Sequence, residues 1–212
     1  MSIGSDLLRY KKDQKFLIAD YETEGLNKAY SRPWQLSFAT FTLEKIIKEY
    51  DFYIYWEDLN ISEGAKKVTG FNEQFYLERA QEPELVCNTF EEYLYNPEYI
   101  VLYHNGLAFD TMIHQVLRRS LGKKPDYSFM PRSYDTNCLL KMYKLGIKPD
   151  RNDIYRQQVK MISYIQKGLK TNLAQVAGEF GIEFDKTKLH NSLYDIRLNI
   201  EVFKSVVWKM EI

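Results

Sequence analysis

Lys15-Phe16-Leu17-Ile18-Ala19-Asp20 is a short apolar run closed by an acid, the pattern of a strand at the centre of a sheet. Gly25, Asn27 and Ser31-Arg32-Pro33 then mark a loop. Trp34 to Thr42 and Ile46 to Trp56 are rich in aromatic and β-branched residues and are joined by Leu43-Glu44-Lys45, so they read as a hairpin. Three strands in succession predict an antiparallel meander. Further along, Tyr99 to Tyr103 reads as a buried strand and Ser128 to Tyr134 as a short one. Helices are expected over 62–69, 72–79, 84–95, 107–120, 136–145, 150–166, 171–180 and from 191 toward Lys209. Asp150 or Asn152, Thr171 or Asn172, and Asn191 or Ser192 are candidate caps, and Asp135 another. The predicted class is α/β: a mixed five-stranded sheet, three strands in a meander and the rest parallel, flanked by helices.

The 212 residues suffice for one domain with a substantial core. Cys87 and Cys138 form no CxxC pair, which fits reduced thiols in a cytoplasmic setting (host cytoplasm if the chain is viral). No apolar run suits a signal peptide or a membrane span. Net charge is zero but unevenly spread. Residues 1–100 hold 11 Lys+Arg against 18 Asp+Glu, while residues 118–170 hold 13 against four. Such a basic segment suits a phosphate-tracking surface, or equally a solvated helical face.

Three segments place carboxylates where a divalent cation could gather them. Asp20 and Glu22 are two apart on a strand, so they point to one side of the sheet. Two like charges there are costly unless cations or donors compensate them; alternatively Glu22 already lies in a solvated loop. Asp110 follows the end of a predicted strand, where open α/β sheets gather ligands, or is simply an acid in a first helical turn. Ser192-Leu193-Tyr194-Asp195 has the spacing of a capping box. On a helix, His190 and Asp195 would be turned roughly 140° apart, so they share a site only if His190 precedes the helix. There it could stay exposed, as a proton acceptor requires. His104 could position a phosphate or satisfy backbone groups, and His114 reads as structural. No Gly-rich phosphate loop, GxSxG elbow or zinc-type cluster is present in the sequence. Oxygen ligands favour Mg²⁺ or Mn²⁺.

Together these segments resemble the DnaQ-like, or DEDDh, family of 3′→5′ exonucleases, whose fold is ribonuclease H-like. Asp20-Tyr21-Glu22-Thr23-Glu24-Gly25-Leu26 is similar to the first motif, His104-Asn105-x-x-x-Phe109-Asp110 to the second, and His190-x-x-x-x-Asp195 to the third, with the histidine-type spacing. Ile61 to Phe71 and Leu169 to Ile182 are similar to the intervening regions. The match covers about residues 15–205, so the chain is expected to be a single exonuclease domain over 1–212. Asp20 to Gly25, with Arg32-Pro33-x-Gln35, most resembles the exonuclease I type, a single-stranded-DNA enzyme.

The resemblance implies two divalent cations, Mg²⁺ or Mn²⁺, held about 3.5–4 Å apart by Asp20, Glu22, Asp110 and Asp195, with His190 as proton acceptor. It implies terminal-nucleotide contacts from Thr23, Leu26, Asn105 and Phe109, although core packing explains Phe109 as well. Single-stranded DNA is the expected partner, ahead of RNA, and a polymerase or another replication or repair protein is a possible second one. An RNA-directed enzyme of the oligoribonuclease kind and a non-catalytic binding module are the rival readings. Two departures stand out. Glu24 would add a third carboxylate if the strand continued. The sequence also ends just after the nuclease core, without the extra C-terminal domains of exonuclease I, so high processivity by that route is not expected. The basic segment, about 141–170, looks like a helical insertion that replaces some strand-holding surface, with Lys144, Lys148, Arg156 and Lys160 as the residues to test.

Overall fold

The computed structural model describes residues 7–150 and 152–212. Its sheet is built on β1 (Lys15–Thr23), β2 (Pro33–Phe41) and β3 (Ile46–Ile54), the expected antiparallel meander. β5 (Tyr99–Tyr103) runs parallel to β1, and β6 (Ser133–Asp135) parallel to β5. The sheet has six strands rather than the expected five, because Ala80–Gln81 adds a two-residue β4 beside β3, giving the order β4-β3-β2-β1-β5-β6. A two-residue strand carries no alternation that a sequence could display.

Helices α1 (Glu63–Thr69), α2 (Glu73–Arg79), α3 (Pro83–Leu94), α4 (Asp110–Ser120), α5 (Thr136–Lys144), α6 (Ile154–Ile162), α7 (Leu173–Glu179) and α8 (Ser192–Met210) fall near the expected places. Some bounds differ for local reasons. α4 starts at Asp110 rather than Leu107, and Asn105 and Leu107 lie in the loop before it, their backbone N–H groups bound by Asp135. Asp150 does not cap α6; its carboxylate accepts from the N–H of Asn152 in a turn, and the helix begins at Ile154. Pro131 sits in a 3-10 turn, Met130–Arg132, which shortens the strand expected from Ser128. Asn172 caps α7 and Asp135 caps α5, as expected.

Side-chain alternation along β1 builds a core on each face of the sheet. Phe16 and Ile18 pack toward α5, α7 and α8, with Ala39, Phe41, Leu102 and Phe203. Leu17, Ala19 and Tyr21 pack toward α3 and α4, with Phe38, Phe90, Val101 and Tyr103. Asp20 and Glu22 continue the first register, so they emerge on the α8 side where β1 ends. Cys87 and Cys138 are both free and buried, one in each core. Among the described residues no helix is long and apolar enough to cross a membrane.

β6 is an edge strand, and a side chain closes it. Gln158 of α6, fully buried, accepts from the N–H of Asp135 at 2.6 Å and donates to the carbonyl of Ser133 at 3.1 Å. Its carboxamide thus takes the place of a neighbouring strand's peptide group. Gln158→Leu should leave both backbone groups without partners and cost about 1–3 kcal/mol for each one left unsatisfied. Urea unfolding of the variant checks this, and an unchanged midpoint would refute it.

Candidate active site

The four carboxylates come from three elements, and specific contacts draw those elements together. β1 and β5 run parallel, so the ends of both strands open on the same edge. The N–H of Tyr21 donates to Asp110 Oδ1 at 3.0 Å, pinning the start of α4 to β1. Ser192 Oγ donates to the carbonyl of Asp20 at 3.3 Å, pinning the start of α8 to the same strand. Behind the site, Tyr21 Oη lies 2.9 Å from His114 Nδ1, and His114 Nε2 lies 3.4 Å from Glu91. Glu91 in turn pairs with Arg118 and Lys123. Burial favours neutral His114, which makes this residue a strut between β1, α3 and α4, in keeping with its structural reading.

The charge balance is the main physical property of the site. Burial, followed by Asp20, Asp110 and Asp195, pushes the Glu22 carboxyl up to about 9. Burial, and secondarily Asp195, lifts Asp20 to about 6. Burial and Asp20 raise Asp110 despite the N–H of Tyr21. Burial also raises Asp195, which the His190 N–H partly offsets. Burial is the first cause in all four, and Asp20, Glu22 and Asp110 are raised further by neighbouring carboxylates, with no protein cation among the causes for these three. Asp195 Oδ1 is buried with no hydrogen-bond partner. Among the described residues no three His, Cys, Asp or Glu side chains are spaced as a ready-made metal cage. Uncompensated carboxylates repel, so they are expected to close only around a bound cation. Their oxygen-only donor set, its shared charge and its orphaned oxygen fit a hard divalent ion.

The third motif is arranged as its spacing requires. His190 precedes α8, with φ of 67°, in the left-handed region, and it is exposed. Its N–H donates to Asp195 Oδ2 at 3.0 Å. The helix cap is Asn191, whose side chain accepts from the N–H of Tyr194, so the expected Ser192–Asp195 capping box does not form. Ser192 is turned to β1 and Asp195 back to the His190 loop. A cavity of about 370 Å³ joins Asp20, His190 and Asp195, with His104 and Asn199 in its wall.

The residues assigned to the terminal nucleotide are mixed in character. Leu26 is 88% exposed on the loop after β1, an arrangement that leaves a large apolar side chain free for a ligand. Thr23 is buried, and its hydroxyl donates to the carbonyl of Gly25 at 2.6 Å. Asn105 is exposed with φ of 64°. Phe109 is half-buried and packs on the α3/α4 core, as the core-packing reading expects.

Glu24 does not join Asp20 and Glu22 as a third carboxylate on their side of the sheet. β1 ends at Thr23, and Glu24 forks onto Arg32, with Nη2 at 2.7 Å and Nε at 3.2 Å. It also accepts from the N–H groups of Arg32 and Asn60. Burial alone would raise its carboxyl, but Arg32 and these donors hold it below the usual range. Two residues matter more than the sequence suggested. Asp135, besides capping α5, accepts from the N–H of Asn105 and of Leu107, each at 3.0 Å, and so shapes the second motif. Gly106 is the other: an added Cβ would meet Asp110 Oδ2 at 2.6 Å. In the basic segment, Lys141 donates to the carbonyl of Met161 at 2.8 Å and Lys144 pairs with Glu179 at 2.6 Å. Part of that charge therefore closes helix ends instead of facing solvent.

A family model described as Exonuclease (RNase_T) matches residues 17–203. No curated protein sequence matches the chain. Among solved structures, exonuclease I is similar with a TM-score of 0.73 and 18% identity, over 94% of this chain and 42% of that one. The E. coli exonuclease I complex with a dT13 oligonucleotide is similar with a TM-score of 0.71 and 19% identity, over 92% of this chain and 41% of that one. A zinc-bound form of the E. coli exonuclease I–ssDNA complex gives 0.70 and 19%, over 91% and 40%. The chain thus spans about two-fifths of the length of these structures, and at such identity they show the ribonuclease H-like fold. With most of its residues under one family model, the chain belongs to the DnaQ-like exonuclease family.

Proposed function

We propose that this protein removes nucleotides one at a time from the 3′ end of single-stranded DNA by hydrolysis, releasing nucleoside 5′-monophosphates. The observation that carries the reading is geometric: β1 carries Asp20 and Glu22, its Tyr21 N–H holds Asp110, and Asp20 shares a cavity with Asp195 beside an exposed His190 on a loop tied to Asp195. The similar exonuclease I structures bound to DNA oligonucleotides favour DNA as the polymer. Exonuclease I also forms a complex with the SSB C-terminus, which suggests a replication or repair protein as a partner class here.

The four carboxylates would hold two Mg²⁺ or Mn²⁺ ions. When bound, these would acidify the attacking water and stabilise the leaving 3′ oxygen. Positive charge held there also reverses the local field, so that a polyanion can enter an acidic site. His190 accepts the proton of the water, and its exposure lets it pass that proton on to solvent. The N–H of His190, bonded to Asp195, fixes the loop so that the imidazole stays at the mouth of the cavity. Leu26 and Phe109 pack on the terminal nucleotide, while Asn105 and the Glu22–Thr23 backbone orient it.

The test is degradation of matched 5′-labelled single-stranded DNA and RNA in Mg²⁺, Mn²⁺ or EDTA, beside Asp20→Ala and His190→Ala. A metal-dependent ladder on DNA is expected, lost with Asp20→Ala and reduced about 10²–10⁴-fold with His190→Ala. A ladder mainly on RNA would keep the chemistry and overturn the substrate. Binding without cleavage of either polymer would sink the enzyme reading.

A further inference from the structure

His190 borders two cavities. On one side is the chamber of about 370 Å³ whose wall includes Asp20 and Asp195 among largely apolar residues. On the other is an open cleft of about 650 Å³ between the end of α1 and the His190 loop, with Lys67, Val68, Lys188, Tyr194 and Arg197 in its wall. We propose that this cleft carries the sugar-phosphate backbone of the strand upstream of the scissile bond. The inference rests on the nuclease reading above and names the surface that reading leaves unspecified.

The argument is one of charge and position. A strand whose 3′ end sits at the carboxylates must leave that chamber, and a route past His190 leads into a basic wall. Arg197 is matched by a two-pronged contact with Glu49, at 2.6 and 2.7 Å, so it brings little net charge. Lys188 is exposed, with Asp185 only at 3.8 Å. Lys67 is exposed and has no ion-pair partner among the described residues, whereas its neighbour Lys66 pairs with Glu63. The carbonyl end of α1 and Asp185 work against an anion here, so Lys67 and Lys188 decide the sign.

The walls are also held in place. Ser62 caps α1, and its N–H donates to the carbonyl of Glu24 at 2.8 Å, tying α1 to the end of β1. Tyr194 Oη accepts from the N–H of Asp185 at 2.6 Å, fixing the loop and the Tyr194 ring. Val68, 57% exposed, and the half-buried Tyr194 place apolar surface among the cations. Lysines around apolar and aromatic surface form the kind of groove that tracks a single strand without reading sequence.

The test compares native protein with the Lys67→Glu/Lys188→Glu double variant on a long oligothymidylate and on a dinucleotide too short to reach the cleft. KM for the long strand should rise about tenfold or more and the salt slope of log KM should fall by about 1.4, two phosphate contacts at about 0.7 each. Cleavage of the dinucleotide and the melting temperature should not change. Unchanged KM and salt slope would overturn the proposal. So would a loss found instead in Lys148→Glu/Arg156→Glu/Lys160→Glu. If native protein cleaves neither substrate, the nuclease reading fails by itself. Anisotropy with labelled oligothymidylate then decides the cleft: weaker binding by the double variant supports it and equal binding refutes it.

Discussion

Glu22→Gln should melt at a higher temperature than native protein in EDTA at pH 8, and should lose nearly all nuclease activity. Burial and the neighbouring carboxylates push the Glu22 carboxyl up to about 9 from 4.5. Between those values the folded state binds more protons than the unfolded state. Metal-free stability should therefore fall as pH rises through that window. Asp20, raised to about 6 from 3.8, adds to the fall at the acidic end. Glutamine keeps the shape of the side chain and removes the charge, so the variant escapes the penalty. Each kcal/mol recovered is worth about 2–4 °C in a domain of this size. The same change removes a metal oxygen, and losing about 3 kcal/mol of transition-state stabilisation lowers the rate about 100-fold or more. Native protein should gain more stability from Mg²⁺ at pH 8 than at pH 5, because the ion competes with protons for the same oxygens. Scanning calorimetry across pH, with and without Mg²⁺, checks both parts. Native stability in EDTA that does not fall with pH, or a Glu22→Gln variant that melts lower, would show that the carboxylates do not strain the fold.

Gly106→Ala should cost about 100-fold in activity while leaving a folded protein. The alanine Cβ would lie 2.6 Å from Asp110 Oδ2 and 2.7 Å from Tyr103 Cβ, with Tyr103 fixed in the core. Something must shift, and the carboxylate is the more movable neighbour. Overpacking of this kind costs about 1–3 kcal/mol of stability, and displacement of a positioned group by about 1 Å costs on the order of 10²-fold in rate. The signature is a raised Mg²⁺ requirement together with lost rate, measured by titrating Mg²⁺ against activity beside a circular dichroism melt. Full activity at native Mg²⁺ levels would mean that Asp110 does not act where its geometry places it.

The central sheet was legible because β1 carries a continuous apolar run, as a strand buried on both faces requires, and the hairpin has strong strand composition. The acids were legible because strand register and helix starts are local properties. Contacts that depend on distant chain were not. Asp135 reads as a cap from its own neighbourhood, and nothing there discloses that it also binds Asn105 and Leu107, some thirty residues earlier. Glu24 looked available because its partner, Arg32, lies across a loop whose path the sequence does not fix. The basic segment showed its charge but not where that charge goes, since Lys141 and Lys144 find helix-end and carboxylate partners only once α5, α6 and α7 are packed.

The Gln158 carboxamide that closes β6 has a consequence for the company the protein keeps. A backbone ladder would take many residues to undo, whereas this closure depends on one side chain on a nine-residue helix. Without it, Ser133 and Asp135 would present a free acceptor and a free donor at the rim of a sheet, which is what a second molecule needs to begin strand-to-strand association. The same residue that completes the hydrogen bonding of one molecule therefore sits, with the helix that carries it, where another molecule would have to extend the sheet.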